Sequence, residues 1–248
     1  MDIRVVSTSP MSGEMNMEVD VVLTERAVRE GQVQLRFFRW SQPTVTVGRT
    51  LPVEQGTAAA VLFGGARLVR RPTGGGVVFH ADEMSLSLAW PRSASRLLGG
   101  LRDSYCRIHR AIRDALMDCG ISCLQAECGQ KPAGVMCQSS IVAGDVISPA
   151  GTKLAGGAQW LAKGAVLYQG HLWLRALSAL EEALAHRLAD CFGASPVRDG
   201  LTQEELCIAA ERCHRWCDLA RVNPAGAGPD SLRLGVGGSS ASYDRREP

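Results

Sequence analysis

Three consecutive glycines, Gly74, Gly75 and Gly76, constrain this chain more than any other feature. They sit inside residues 68–91. An apolar run leads into Arg70 and Arg71, then Pro72 and Thr73; after the glycines come Val77, Val78, Phe79 and His80, then the acidic pair Asp82 and Glu83. The end of the stretch, Ser85 to Trp90, alternates with period two. Such a pattern reads as strand, glycine loop, strand. Three glycines between β-rich segments are costly to order, because glycine loses the most backbone freedom on folding. A plain hairpin needs only one or two. The surplus fits either a mobile hairpin tip or a backbone that something must approach closely.

Arg70 and Arg71 beside this loop could bind an anion, since backbone N–H groups cradle oxyanions and a guanidinium offers paired donors. They could equally lie along a solvated strand edge. The loop is not a phosphate-binding Walker loop, because no Gly-Lys-Ser/Thr follows, nor a dinucleotide fingerprint, because a strand and not a helix comes next. A second cluster is Lys153-Leu154-Ala155-Gly156-Gly157-Ala158-Gln159. If Lys153 points inward it must meet a carboxylate, phosphate or carbonyl, because an unpaired buried charge is expensive; otherwise it is an exposed strand lysine. Cys137 lies 16 residues before Lys153, where an apolar run gives way to a polar one. Asp82 and Glu83 fit a structural role in the hairpin better than an acid/base pair. Cys207, Cys213, Cys217 and His214 match no zinc spacing, and no metal site is expected.

Elsewhere the punctuation is clear. Residues 3–7 read as a strand, 12–30 as a helix stopped by Gly31, 33–40 and 44–47 as strands, and 52–60 as a short helix. Residues 99–119 form the clearest amphipathic helix, with Leu101, Tyr105, Ile108, Ile112, Ala115 and Leu116 along one face. Residues 121–124, 135–141, 145–147, 152–155 and 164–174 read as strands, with a second glycine break at Gly156-Gly157. Residues 177–192 and 202–219 read as helices, the last opened by the capping box Thr202 to Glu205. Strands and helices come in blocks, which points to an α+β domain: a mixed, largely antiparallel sheet flanked by helices. Residues 1–222 are expected to form it, with 223–248 a largely disordered Gly/Pro/Ser-rich tail.

The chain has 248 residues, enough for one domain, and a formal net charge of +2, which predicts no strong attraction to nucleic acid or membrane. No apolar run is long enough to span a bilayer, and the first residues lack a signal-peptide pattern, so a cytoplasmic location is expected. The nine cysteines are then mostly small buried hydrophobes, with one available to be reactive.

Together these pieces resemble one superfamily, the lipoate–protein ligases, octanoyltransferases and biotin–protein ligases. Residues 70–80, RRPTGGGVVFH, are similar to its RRxxGGGxVxH signature; Lys153 to Gln159 resembles its K-I-x-G-x-A-Q motif; Val166 to Leu172 resembles the strand that follows. Trp40, Pro43 and Gly48 are similar to its opening, W-x-x-P-x-x-x-x-G. The resemblance implies a biotin/lipoyl protein ligase catalytic-domain fold with an acyl tunnel. It implies that Arg70, Arg71, Thr73, Gly74, Gly75, Gly76, Val78, His80, Gly156, Gly157 and Ala158 line or bind substrate.

Two branches follow. His80-Ala81-Asp82-Glu83-Met84-Ser85 is closer to the cysteine-dependent octanoyltransferases, which place a nucleophilic cysteine about where Cys137 stands. That branch implies an octanoyl thioester on acyl carrier protein, Cys137 as nucleophile with Lys153 lowering its pKa, and no cofactor. Its acceptors would be lipoyl domains of 2-oxoacid dehydrogenases or the glycine cleavage H protein. The ligase branch implies ATP and Mg²⁺, with Arg70, Gly74–Gly76 and Lys153 around an acyl-adenylate. Gln138, Leu86 and Trp160 depart from the transferase pattern and also motivate a non-catalytic paralogue that binds acyl groups or carrier domains.

Overall fold

A computed structural model describes residues 2–127, 136–174 and 178–217; the expected tail lies outside them. In chain order the elements are β1 (Asp2–Ser7), α1 (Gly13–Glu30), β2 (Gln34–Phe38), β3 (Thr44–Val47), α2 (Val53–Leu62), β4 (Arg67–Arg70), β5 (Val77–His80) and β6 (Met84–Pro91). They continue with α3 (Ser95–Leu98), α4 (Leu101–Asp118), β7 (Leu124–Gln125), β8 (Val146–Ile147), β9 (Lys153–Ala162), β10 (Ala165–Leu172), α5 (Ser178–Asp190), β11 (Ser195–Asp199) and α6 (Gln203–Arg212). Eight strands form one sheet in the order β11-β1-β2-β6-β10-β9-β8-β7, and three form a second, β4-β3-β5. In the large sheet β1 runs parallel to β11 and β2, and the remaining neighbours are antiparallel. In the small sheet β3 is parallel to β4 and antiparallel to β5. The expected mixed, largely antiparallel α+β architecture is the one observed.

Period two in β6 sends Met84, Leu86, Leu88 and Trp90 to one face, where they join Ile108, Ile112 and Leu116 of α4 and Leu184 and Leu188 of α5 in the main core. The opposite face is also covered. There Ser87 donates to Asp20 of α1, and every residue of β6 is buried. The serines that suggest a solvated face belong instead to a buried polar layer. Helix α1 has the caps its sequence announces: the Ser12 hydroxyl accepts from the Met15 N–H, and Gly31 sits at φ 65° in the left-handed region.

Several elements differ from expectation; the strand expected at 121–124 is only the short β7, Leu124–Gln125. Residues 135–141 were expected to be a strand; of those described, Met136 makes a single bridge to Val77 and Cys137–Ser139 form a 3₁₀ turn. The reason lies on another element: the Lys153 ammonium of β9 takes the carbonyls of Cys137 and Ser140 that a strand would give a neighbour. Strand β9 runs unbroken through Gly156 and Gly157. The last helix stops at Arg212 and tightens into a 3₁₀ turn at Cys213–Trp216. Strand β11 was not anticipated; it adds to β1 at the sheet edge. The cysteines also differ, because among those described only Cys123 is buried. Cys119, at the end of α4, packs half-buried against the main core, and Cys106 is half-buried on the same helix.

Candidate functional site

The glycine loop is tied from within by the two arginines before it. Arg71 folds back and donates from Nη2 to the carbonyls of Gly74 at 2.7 Å and Gly76 at 2.8 Å, and from Nη1 to the Thr46 carbonyl and hydroxyl. Arg70 donates from Nη1 to the carbonyls of Gly48, Arg49 and Leu51. Gly75 has φ +87°, and a Cβ there would lie 2.9 Å from Arg71 Nη2 and 3.7 Å from Cys137 Sγ. Only glycine meets both demands without strain. The loop is also anchored to the main sheet. The Thr73 hydroxyl donates to Gln169, whose amide donates to Asp20, which pairs with the fully buried Arg36 at 2.8 Å.

Cys137 meets this loop directly. The Gly76 N–H donates to Sγ at 3.1 Å. Lys153, the first residue of β9, is buried and points inward. Its ammonium contacts Asp145 Oδ2 at 2.8 Å, the Ser140 carbonyl at 2.9 Å and the Cys137 carbonyl at 3.2 Å. An ammonium has three donors, and these three partners match them. Asp145, fully buried, also accepts from the Tyr105 hydroxyl and the Val142 N–H, both at 2.7 Å. Burial first, and then the Asp145 carboxylate, push the Tyr105 pKa up, so the phenol stays a donor. The glycines of β9 make room for this arrangement. A Cβ on Gly156 would run into Lys153 Cε, and one on Gly157 would lie 2.5 Å from the Tyr168 ring.

Between the loop, α1 and the sheet lies a narrow cleft, open to solvent. Met17, Phe38, Trp40 and Val78 give it an apolar stretch, and Gly75, Cys137 and Lys153 lie on the same wall. His80 stacks on Trp40 at 4.0 Å, shares hydrogen bonds with Glu83 and Thr46, and is held below its ordinary pKa chiefly by burial. Glu83 therefore has the structural role expected of it; it also accepts from the Ala81 N–H. His171 lines the cleft as well, its pKa pushed well down by burial, and among the described residues its Nε2 has no hydrogen-bond partner. A cleft with an apolar stretch, a sulfur at its wall and an N–H donor beside that sulfur can seat an acyl chain and stabilise an anion where the chain ends.

Residues 12–203 match the family described as the lipoyl protein ligase A/B catalytic domain. The chain belongs to this family. Among curated relatives it is 33% identical over 180 residues to the octanoyltransferase LipM of Moorella thermoacetica, an alignment covering 69% of this chain and 64% of that protein. The chain thus spans less than two thirds of that relative. Its fold is similar to lipoate-protein ligase A bound with ATP, with TM-score 0.70 at 17% identity, covering 87% of this chain and 95% of the other. It is also similar to a bi-partite lipoate protein ligase solved in a study of that enzyme and its E2 lipoyl domain from Thermoplasma acidophilum. That likeness has TM-score 0.66 at 17% identity and covers 87% of this chain and 93% of the other.

In this lipoyl protein ligase A/B catalytic domain, Arg71, Gly75, Val78, His80, Cys137, Lys153, Gly157 and Ala158 come together on the cleft wall. Arg70, Thr73, Gly74, Gly76 and Gly156 lie behind it, shaping the loop and the path of Lys153. The ammonium of Lys153 meets the carbonyl of Cys137, while the Gly76 N–H meets its sulfur. Sequence reasoning missed Asp145, the acid that pairs with Lys153. A signal existed: Asp145 is the one acidic residue between Cys137 and Lys153. It also missed Met17, Phe38, Trp40 and His171, whose positions on the cleft depend on strand and helix register.

Proposed function

We propose that this domain transfers an octanoyl group to the ε-amine of a lysine on a lipoyl carrier domain, through a thioester on Cys137. The observation that carries the reading is the placement of Cys137 Sγ on the wall of the cleft, within hydrogen-bond reach of the Gly76 N–H at 3.1 Å. The likeness to an octanoyltransferase supports it. The donor is octanoyl-acyl carrier protein, and the acceptors are lipoyl domains of 2-oxoacid dehydrogenases or the glycine cleavage H protein, in the cytoplasm. The thiolate attacks the donor's carbonyl carbon, the bond to the carrier sulfur breaks, and the acceptor amine then attacks the new thioester. A thioester is already activated relative to an amide, so this route needs no ATP. Among the described residues no helix is long and apolar enough to cross a membrane.

The fold shared with an ATP-bound lipoate-protein ligase favours a second reading, transfer of lipoate through an adenylate formed from ATP with Mg²⁺. One experiment separates them. The protein is incubated with a lipoyl domain and either octanoyl-acyl carrier protein or lipoate plus ATP, and the lipoyl domain is weighed. Octanoylation from the carrier without ATP is expected. Modification only with lipoate and ATP would replace the first reading with the second. Tight acyl binding with no modification in either arm would favour a non-catalytic paralogue.

A further inference from the structure

An unbroken line of rings runs along one wall of the cleft. Trp173, His171, His80, Trp40 and Phe38 follow one another with centroids 4.1, 5.7, 4.0 and 5.8 Å apart. The line begins beside the Lys153 ammonium, 5.7 Å from the centre of the Trp173 ring, and ends in the apolar stretch at Phe38. His80 is tied to Glu83 and Thr46, and the Trp40 indole donates to Ser85. His171 differs: it is 8% exposed, and among the described residues its buried Nε2 has no partner. The Trp173 indole nitrogen is unpaired too, but Trp173 does not border the cleft, whereas His171 does. A buried polar atom left unpaired is costly, and a ligand atom that meets it removes that cost.

Strand register sets His171 beside the reacting groups. It stands opposite Gly156 of β9, and a Cβ on Gly156 would lie 2.9 Å from Lys153 Nζ. The ammonium therefore occupies the place of His171's cross-strand neighbour. Ala158, which pairs with Gln169, is its diagonal neighbour on the same face. Ala158 Cβ and Cys137 Sγ lie 3.8 and 3.7 Å from the point where a Cβ of Gly75 would stand. Diagonal neighbours have Cβ atoms up to about 7–8 Å apart, a gap that a long side chain spans.

We propose that His171 donates from Nε2 to the carbonyl oxygen of the acyl group presented to Cys137, and is a further catalytic residue of the transfer. This assignment rests on the acyl-thioester reading of the cleft. A plain octanoyl thioester offers one oxygen for hydrogen bonding, its carbonyl, and the cleft offers one unpaired ring nitrogen beside Lys153. Burial keeps the imidazole neutral, so it has one N–H to give. When Sγ attacks the carbonyl carbon, the π pair moves onto oxygen and the bond from Nε2 strengthens. Collapse re-forms the carbonyl, and the carrier sulfur leaves with its electron pair. The same contact serves when the acceptor amine attacks the Cys137 thioester. No proton passes through His171, which stays a neutral donor throughout. The rest of the chain then lies along the ring line toward Trp40 and Phe38.

Isotope-edited infrared spectroscopy of octanoyl-pantetheine, labelled with carbon-13 at the carbonyl, tests the contact without requiring transfer. The thioester is bound to Cys137→Ala protein, with and without His171→Phe, which keeps a ring between His80 and Trp173 but removes the N–H. The carbonyl band is expected to move to higher frequency in the His171→Phe protein, and His171→Gln, which restores a donor, should bring it part of the way back. With Cys137 intact, single-turnover acylation followed by intact mass should slow roughly 100-fold or more in His171→Phe, the loss typical of one oxyanion donor, while thioester affinity changes far less. A carbonyl band unmoved by His171→Phe, or acylation at the wild-type rate, would overturn the assignment. If the band depends on His171 but Cys137 is never acylated, the carbonyl contact stands and the thioester route falls. If His171→Phe does not fold, the wild-type ring decides: bound octanoyl-pantetheine should shift the nitrogen-15 resonance of His171 Nε2, and an unshifted resonance sinks the proposal.

Discussion

Replacing Asp145 with Asn tests the clasp around Lys153. The carboxylate is fully buried and accepts from three donors: the Lys153 ammonium at 2.8 Å, the Tyr105 hydroxyl at 2.7 Å and the Val142 N–H at 2.7 Å. Asn offers one acceptor oxygen and turns an NH₂ toward groups that are themselves donors. Lys153 is left in a nearly closed site with two carbonyls and no counter-charge. Breaking a buried pair by removing one partner costs about 3–5 kcal/mol. For a domain of this size each kcal/mol lowers the melting temperature by roughly 2–4 °C, so a fall of roughly 6–20 °C is expected. Thermal and urea unfolding of Asp145→Asn, Lys153→Met and the double variant measure it. The double variant removes both charges, so its cost should be less than the sum of the singles by about 1 kcal/mol or more. An Asp145→Asn variant within about 1 kcal/mol of wild type, or strictly additive costs, would refute the reasoning.

Two further outcomes are expected. Gly157→Ala forces a methyl to within 2.5 Å of the buried Tyr168 ring, whose hydroxyl is held by His109 at 2.8 Å; a cost of about 1–3 kcal/mol by urea unfolding follows, whereas an unchanged midpoint would show that the ring can move. His109 is buried, and that burial lowers its pKa to about 4 from the ordinary 6.5. The unfolded chain therefore takes up this proton first, so stability is full above about pH 6.5 and falls as the pH drops toward 4, by at most about 3 kcal/mol from this residue. His109→Gln should flatten that part of the urea-midpoint profile; an unaltered slope would assign it to other groups.

The parts of this fold that could be read from the sequence are those where local rules suffice. Ser12 and Gly31 bound α1 because a hydroxyl cap and a left-handed glycine act within a turn of the chain. The alternation of β6 and the stripe of α4 announce the two walls of the main core. Strand β11 was invisible because Ser195–Asp199 is mostly exposed, carries a proline, and owes its form to pairing with β1 nearly two hundred residues away. The turn at Cys137 was misread because its carbonyls answer to a lysine on another strand. In the site, the glycines, Cys137 and Lys153 were legible as residues, but their pairings were not. Arg71 looked like an anion-binding arginine beside a glycine loop; the structure adds that its donors are taken by the carbonyls of Gly74, Gly76 and Thr46. Long-range pairs such as Thr73 with Gln169 are set by how the small sheet packs on the large one, which no local pattern encodes.

The most direct test of Cys137 as the acyl carrier is intact-mass measurement after brief exposure to octanoyl-acyl carrier protein with no acceptor present. Wild-type protein should gain one octanoyl group, mapped to Cys137 and released by hydroxylamine, and Cys137→Ser should gain no such thioester. A Cys137→Ser protein that still octanoylates a lipoyl domain at the wild-type rate would show that the sulfur is structural, and the proposed route through it would be wrong.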